Sequence, residues 1–411
     1  MRVLIISGTF PPMKSGGAEY AFRLCQQLAD SKQEVSVLTS EITNVVWDPR
    51  FEIFPIMQRW TWFELLRLLE VVTRCRPDVV NIHFAGSVYQ NQPMITFVPG
   101  ILKRRYPNLA IVTHIEYPTG VNLNLVPFVT RVVRKGVAQL IGKRNLDWGY
   151  GSLLRDSDRL VVLSERHRHV LNGHLPTVSK KCILIPPPPL MKICEGADGA
   201  ARYRGRQLLQ TFPNDFVIAY YGYIYPGKGI ETLLEAMALI NSERGYVRLV
   251  LVGGANEVVL REVNRPNYLS ELHALTEQLK IANRVTFTGY YPSESEQGSV
   301  YLRAADVCVL PFHDGVMLNR SSVAAAAAHG LPLITTKGEA LESPFVNGEN
   351  VLLCPPQNPV SLAAAIKCVI SDPDLKEQLH FGALQLARDW FSWEKTVERT
   401  LEAFTDSVTR R

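Results

Sequence analysis

Short apolar runs alternate with segments of helical apolar spacing along most of the chain. In the first half, the apolar runs predict β-strands at residues 3–7, 34–39, 79–83, 110–114, 160–163 and 182–185. Segments between them, such as 18–29 and 62–75, have the three- and four-residue spacing of amphipathic helices. Continuous apolar strands flanked by helices are typical of a parallel sheet buried on both faces.

Four consecutive prolines at 186–189 interrupt this pattern. They favour extended polyproline II and cannot continue a helix or a central strand, so they predict a domain boundary. The alternation then starts again. Strands are predicted at 217–221, 247–252, 285–288, 307–310, 331–335 and 351–354, and helices at 229–241, 268–279, 298–304, 322–329 and 359–370, followed by a helical tail.

Two segments, 155–165 and 303–314, repeat one order of features: a helix end, an aspartate, an apolar strand and a polar loop. This echo predicts an α/β protein with two similar, doubly wound domains. In such sheets, ligands bind outside the carboxyl ends of the strands.

Composition permits large cores, because 46% of the 411 residues are hydrophobic and 20% are charged. The net charge of +5 is too small to indicate a nucleic-acid partner, but it suits an anionic substrate or an acidic membrane surface. The seven scattered cysteines form no C-x-x-C pair, which indicates reduced thiols, no zinc site and a cytoplasmic protein. The apolar N-terminal run is shorter than a signal peptide requires, and no window of 18 apolar residues predicts a membrane span.

The loop between the first strand and the first helix contains Gly16 and Gly17. Glycine lets a ligand approach the backbone, and the N–H groups at a helix start favour anions, so this loop predicts an anion-binding position. A turn without a ligand would also explain the glycines. The loop lacks the G-x-G-x-x-G fingerprint, which argues against a dinucleotide-dependent oxidoreductase.

Five segments resemble, in order, the motifs of glycosyltransferase family 4 enzymes of the GT-B fold. They are PPMKSGGAEYAFRLCQQLA, YYGYIYPGKGIETLLEAM, ADVCVLPF, AHGLPLITT and VNGENVLLCPPQNPVSLAAAI. The resemblance implies two Rossmann-like domains facing across a cleft. It implies an acceptor-binding domain at 1–188, joined by a final helix at 390–411 that crosses back, and a donor-binding domain at 189–389. It further implies sugar transfer with retention from a nucleotide-sugar donor, without a metal or another cofactor.

The functional positions of the family carry over unevenly. The resemblance implies that Gly16 and Gly17 contact the donor's phosphates and that His114 faces the transferred sugar. Lys228 stands where the family has a lysine for the diphosphate, and its flanking glycines beside a helix start support that role. Tyr223 stands where the family has an arginine, and a tyrosine cannot replace the charge of a guanidinium.

The segment 311–332 departs most from the family, which usually has two glutamates there. Ala325 occupies the position of the second, and no glutamate occurs between Glu296 and Glu339. Asp314 is the expected neighbour of the sugar hydroxyls. Further along the same segment, Arg320, Ser321 and Ser322 either present charge and hydrogen-bond donors to phosphates or form an ordinary helix cap. Of Glu339 and Glu342, the latter is the candidate for the ribose hydroxyls.

Residues 126–145 combine apolar residues at helical spacing with five basic residues. This composition suits contact with anionic lipid at the inner face of a membrane, as with a lipid-linked or polysaccharide acceptor, but also a helix packed on the sheet with a solvated basic face. The D-x-D at 156–158 is interpreted as a helix end and not as a metal site. The loss of the glutamates leaves a second function open, a non-catalytic sugar-nucleotide-binding protein of the same fold.

Overall fold

The computed structural model describes residues 1–122, 124, 128–195, 198–241, 246–292 and 294–409. The chain forms two compact units, which are Met1–Pro186 with Trp393–Arg411 (unit 1) and Pro187–Ser392 (unit 2). The first division falls inside the run of prolines, two residues before the predicted position. The return to unit 1 was predicted at Trp390, which is wrong, because Trp390 is the last residue of a helix of unit 2.

Unit 1 contains a seven-stranded parallel sheet in the order β3-β2-β1-β4-β5-β6-β7. Its strands are β1 (Arg2–Ser7), β2 (Glu34–Ser40), β3 (Glu52–Met57), β4 (Val79–Phe84), β5 (Ala110–Ile115), β6 (Arg159–Val162) and β7 (Cys182–Leu184). The order reverses between β1 and β4, which makes their carboxyl ends the switch point where doubly wound sheets bind ligands. The pattern did not predict β3, whose Pro55 is tolerated because β3 is an edge strand.

Six helices of unit 1 connect these strands. They are α1 (Gly16–Asp30), α2 (Leu65–Cys75), α3 (Met94–Arg105), α4 (Phe128–Leu140), α5 (Leu153–Asp156) and α6 (Glu165–His174). The end of α5 at Asp156 and the start of α6 at Glu165 agree with the interpretation of the polar segments there. The structure also has α3, which the pattern did not predict because Pro99 and Gly100 lie inside it.

Unit 2 repeats the design with six parallel strands in the order β10-β9-β8-β11-β12-β13. Its strands are β8 (Phe216–Tyr221), β9 (Val247–Val252), β10 (Val285–Phe287), β11 (Val307–Leu310), β12 (Leu333–Thr336) and β13 (Leu352–Cys354). Its helices are α7 (Asp198–Leu208), α8 (Ile230–Asn241), α9 (Glu257–Glu262), α10 (Tyr268–Gln278), α11 (Gln297–Ala304), α12 (Ser321–Ala328), α13 (Pro359–Ser371) and α14 (Pro373–Trp390). The predicted fold class, two doubly wound parallel sheets, is confirmed.

The last helix, α15 (Trp393–Thr409), belongs to unit 1. Trp393 stacks on Tyr20 of α1 with ring centroids 5.8 Å apart, and Asp406 pairs with Arg159 of β6 at 3.0 Å. Among the described residues, no helix combines the length and apolar character needed to cross a bilayer.

The order of features that repeats in the two halves corresponds to one aspartate with the same contacts in each unit. Asp158 and Asp306 each lie just before a strand. The N–H of each aspartate donates to a carbonyl of the neighbouring strand, and its carboxylate accepts from the N–H of the same residue, each at 2.8 Å. That residue is Ile111 for Asp158 and Val217 for Asp306. Both carboxylates also hold cations. Lys103 lies 2.6 Å from Asp158, and Asp306 binds two arginines, Arg202 at 2.6 Å and Arg206 at 2.8 Å. The aspartate therefore fixes strand register in both units.

We predict that Asp306→Asn lowers the free energy of unfolding by about 2–3 kcal/mol, because it leaves Arg202 and Arg206 beside a neutral amide. Chemical denaturation measures the change. The matched control is Asp389→Asn, which removes an exposed carboxylate 3.1 Å from Arg388 and should change stability by less than about 0.5 kcal/mol. Equal effects of the two substitutions would contradict the register role of Asp306.

Candidate functional site

In unit 2, the loop after β8 places Lys228 at the start of α8. The Tyr220 hydroxyl donates to the Tyr223 carbonyl at 3.1 Å, and the His313 N–H donates to the Gly227 carbonyl at 3.1 Å. Gly229 has φ +74°, and a Cβ there would lie 1.9 Å from the carbonyl oxygen of Pro311. The loop is therefore pinned against the carboxyl end of β11 by contacts that only glycine permits at position 229.

Two cations share one aromatic ring at this place. Lys228 Nζ lies 5.1 Å from the centroid of Phe312, and Arg320 Cζ lies 4.6 Å from the same centroid. Lys228 also lies 4.7 Å from the ring of Tyr225. Burial, with a contribution from Arg320, lowers the pKa of Lys228 below its ordinary value. The sequence missed Phe312 and Tyr225, since an aromatic residue after a strand does not by itself indicate cation binding.

Arg320 is the N-cap residue of α12, which begins at Ser321. Its guanidinium pairs with Asp314 at 3.0 Å and is mostly buried, while Asp314 is half exposed. A Cβ on Gly222, after β8, would lie 3.6 Å from the Cβ of Ser322, so the ends of β8 and α12 adjoin. The structure thus brings together Lys228, Arg320 and the unpaired N–H groups of the α12 start, which together favour an anion.

The residues near the missing glutamates are placed as follows. Ala325 is fully buried within α12, where a glutamate would need a partner to offset its desolvation. Glu342 is buried, and its Oε2 accepts a 2.7 Å hydrogen bond from the Leu318 N–H, just before α12, whereas Glu339 is exposed. Tyr223 stacks on Tyr290, with centroids 6.3 Å apart, at the carboxyl ends of β8 and β10.

In unit 1, the start of α1 adjoins a carboxylate that the sequence analysis did not single out. The Ser15 side chain caps the helix by accepting from the Ala18 N–H at 3.2 Å. A Cβ on Gly17 would lie only 2.4 Å from Oε2 of Glu116. The absence of a Cβ at Gly17 therefore permits the close approach of Glu116. The contact of Gly16 and Gly17 with a donor phosphate stays a prediction.

His114, one residue before the end of β5, lies inside a cluster of rings. Its centroid lies 4.8 Å from Tyr20 and 4.9 Å from His83, and its side chain is buried. Burial, together with the neighbouring His83 and His167, holds the pKa of His114 well below its ordinary value. The imidazole is therefore neutral near neutral pH and can donate or accept hydrogen bonds without carrying charge.

The basic segment of unit 1 contains α4, while its residues 126 and 127 lie outside the described part of the chain. Arg134, one of the five basic residues of this segment, does not belong to a basic face that meets solvent or lipid. It is buried between Phe97 and Trp148, with Cζ 5.3 Å and 4.9 Å from their centroids, and it donates to the Trp148 carbonyl at 2.6 Å. The other four basic residues, Arg131, Lys135, Lys143 and Arg144, are exposed. Among the described residues, no group of histidine, cysteine, aspartate or glutamate side chains has the arrangement of a metal site.

The family model that matches this chain lies within unit 2, the unit that contains Lys228 and Arg320. Residues 215–372, most of unit 2, match the family model described as Glycosyl transferases group 1. A D-inositol 3-phosphate glycosyltransferase of Jonesia denitrificans is 26% identical over 263 residues, which are 62% of this chain and 58% of that enzyme. The chain spans about half the length of the curated relatives it matches.

Solved structures resemble the whole chain. Sucrose-phosphate synthase from Thermosynechococcus elongatus superposes with a TM-score of 0.70 at 21% identity, over 100% of this chain and 99% of that one. HepE from Anabaena, in complex with UDP and glucose, gives a TM-score of 0.69 at 16% identity, over 98% and 100%. These likenesses establish the GT-B fold and confirm the resemblance to glycosyltransferases, while assignment to family 4 stays a prediction.

We predict that Gly229→Ala destabilises the Lys228 loop more than Gly227→Ala does. Both glycines have positive φ, at which alanine costs about 1–2 kcal/mol, but an added Cβ meets nothing within 4 Å at Gly227 and the Pro311 carbonyl at Gly229. Denaturation of both variants, and hydrogen exchange of the loop amides, measure the difference. Equal destabilisation would show that the Pro311 contact does not constrain the loop.

Proposed function

We propose that this chain is a retaining glycosyltransferase, which moves a sugar from a nucleoside-diphosphate donor to a hydroxyl group of a glycan or lipid-linked acceptor. The observation that carries the proposal is the pair of cations, Lys228 and Arg320, on the ring of Phe312 beside the start of α12. Unit 2, where they lie, is also where the sequence matches glycosyltransferases.

The proposed reaction needs stabilisation of a leaving diphosphate. The bond between the sugar's anomeric carbon and the phosphate oxygen breaks, and a bond to the acceptor oxygen forms on the same face. The acceptor's proton passes to the leaving phosphate oxygen, so no protein nucleophile is required. Lys228, Arg320 and the α12 N–H groups, with the hydroxyls of Ser321 and Ser322, offset the charge that develops on the diphosphate.

The remaining residues have supporting roles in this proposal. Asp314 orients Arg320 and lies close enough to the cations to accept a hydrogen bond from a sugar hydroxyl. Glu342 supplies the carboxylate for the ribose, and Tyr223 contacts the donor without charge. In unit 1, neutral His114 faces the sugar, and the N–H groups of α1 contact a donor phosphate. The donor UDP-glucose and the nucleotide UDP are the first ligands to test, because HepE structures contain them.

We predict that Lys228→Met weakens nucleotide binding by at least about tenfold, because it removes a charged hydrogen-bond donor from the diphosphate. Thermal shift and calorimetry with UDP, GDP and ADP, and with their glucose esters, measure this change. Because the pKa of Lys228 is lowered, wild-type affinity should fall as alkaline pH removes its proton, and the variant should lose this dependence.

The control is Lys280→Met, which removes an exposed lysine before β10, at the amino end of the sheet of unit 2. It should bind nucleotides like the wild type. Undiminished affinity in Lys228→Met would refute the proposed donor site. Release of UDP from UDP-glucose, in transfer or hydrolysis, separates an enzyme from a sugar-nucleotide-binding protein, which would bind tightly without turnover.

We also propose that α4 of unit 1 contacts an anionic membrane. Phe128, Val129 and Val132 of α4 are exposed by 78%, 65% and 52%, and at helical spacing they form one continuous apolar face. Exposed Arg131 and Lys135 border this face. An apolar face edged by cations suits insertion at the headgroup level of anionic lipid, and buried Arg134 anchors the helix to the unit.

We predict that Phe128→Ser with Val132→Ser reduces co-sedimentation with phosphatidylglycerol vesicles several-fold, because the substitutions remove apolar area that would enter the lipid. Val360→Ser, on an equally exposed valine of α13, is the matched control and should leave co-sedimentation unchanged. No wild-type binding to these vesicles, or equal binding by both variants, would exclude α4 as the contact.

A further inference from the structure

Glu116 places a carboxylate where the sequence predicts a phosphate. It directly follows β5, and its N–H donates to the Phe84 carbonyl at 2.9 Å, which fixes its backbone at the carboxyl edge of the sheet. Its Oε2 lies 2.4 Å from the position of a Cβ on Gly17, so the carboxylate rests against the first turn of α1. The N–H groups of Gly16 and Gly17 are the donors at this turn that have no intrahelical acceptor.

A second polar group at the same place lacks a partner. His83 of β4 is fully buried, and its Nε2 lies 2.9 Å from Asn81 Oδ1. The amide nitrogen of Asn81 donates to the Val112 carbonyl, so its oxygen faces His83 and takes the proton of Nε2. Nδ1 of the ring has no hydrogen bond among the described residues, and it lies 3.7 Å from Oε1 of Glu116, which is too far for a hydrogen bond.

The carboxylate of Glu116 is therefore only weakly held in this position. No described residue donates a hydrogen bond to its carboxylate, and the side chain retains 16% exposure. The 3.7 Å distance to His83 Nδ1 is too long for a hydrogen bond, so the partial positive charge of the helix start is what favours the carboxylate there. An anion in this position can rotate away at small cost when a stronger one arrives.

We propose that Glu116 sets the affinity and selectivity of the α1 start for the donor's diphosphate, by acting as an internal anion that the phosphate must displace. This inference rests on the proposed function. Two anions at one helix start repel each other, so the bound state requires the carboxylate to move. Anions of lower charge than a diphosphate are then poor competitors, which keeps the position free of common monoanions.

The test measures the affinity for inorganic pyrophosphate by calorimetry at low ionic strength. Glu116→Gln, which keeps the shape and removes the charge, should bind pyrophosphate on the order of tenfold more tightly than the wild type. Glu116→Asp retains the charge on a side chain shorter by one methylene, so its gain should be smaller. Glu70→Gln, on an exposed glutamate of α2, should change nothing.

A double variant tests whether the gain in pyrophosphate affinity arises at the start of α1. Adding Gly17→Ala to Glu116→Gln places a methyl group over the helix start and should remove the gain. Unchanged or weaker binding by Glu116→Gln overturns the inference, and so does an equal gain in Glu70→Gln or a gain that survives Gly17→Ala. Thermal melting without pyrophosphate confirms that each variant is folded.

The readout needs no turnover, so the two proposals fail separately. A tenfold gain in a protein that never transfers or hydrolyses a sugar nucleotide would refute the proposed function alone. Active wild-type enzyme, with pyrophosphate binding indifferent to Glu116→Gln, would overturn this inference alone.

Discussion

The site in unit 2 depends on holding two like charges close together without a bound anion. Lys228 and Arg320 both lie within about 5 Å of the centroid of Phe312, and only Asp314, half exposed, is paired directly with Arg320. The π-face of the ring offsets part of the repulsion, and burial offsets none of it. Burial, with a smaller contribution from Arg320, lowers the pKa of Lys228. In the proposed reaction, the diphosphate of the donor would offset this repulsion.

This arrangement requires precise backbone placement, and the fold supplies it from both sides. The loop before α8 is held against the end of β11 by the Pro311 contact at Gly229, and the start of α12 adjoins the end of β8 at Gly222. The strands themselves are kept in register by Asp306, whose counterpart in unit 1 is Asp158. Because both sheets have this aspartate, the register of their strands is fixed at the amino ends of the strands. The candidate site residues lie at the opposite, carboxyl ends.

In unit 1, the charged group beside the helix start is an anion and not a cation. There, the carboxylate of Glu116 lies against the helix start, and burial lowers the pKa of nearby His114 and raises the pKa of Tyr20. In unit 2, Lys228 and Arg320 place two cations on one ring, with Asp314 paired to Arg320, whereas in unit 1 the carboxylate of Glu116 lies beside the positive end of the α1 dipole.

The sequence by itself determined the fold class, the parallel pairing of most strands and the division in the run of prolines. That residues 16–17, 228 and 320 favour an anion stays a prediction. These follow from apolar periodicity and from glycine beside helix starts, which are local properties. It missed β3 and α3, where prolines oppose the local pattern and tertiary packing prevails. Only the tertiary structure decided that Arg134 is buried, that Phe312 supports two cations and that Glu116 meets Gly17. Each of these is a contact between residues far apart in sequence, and no local pattern encodes the distance between them.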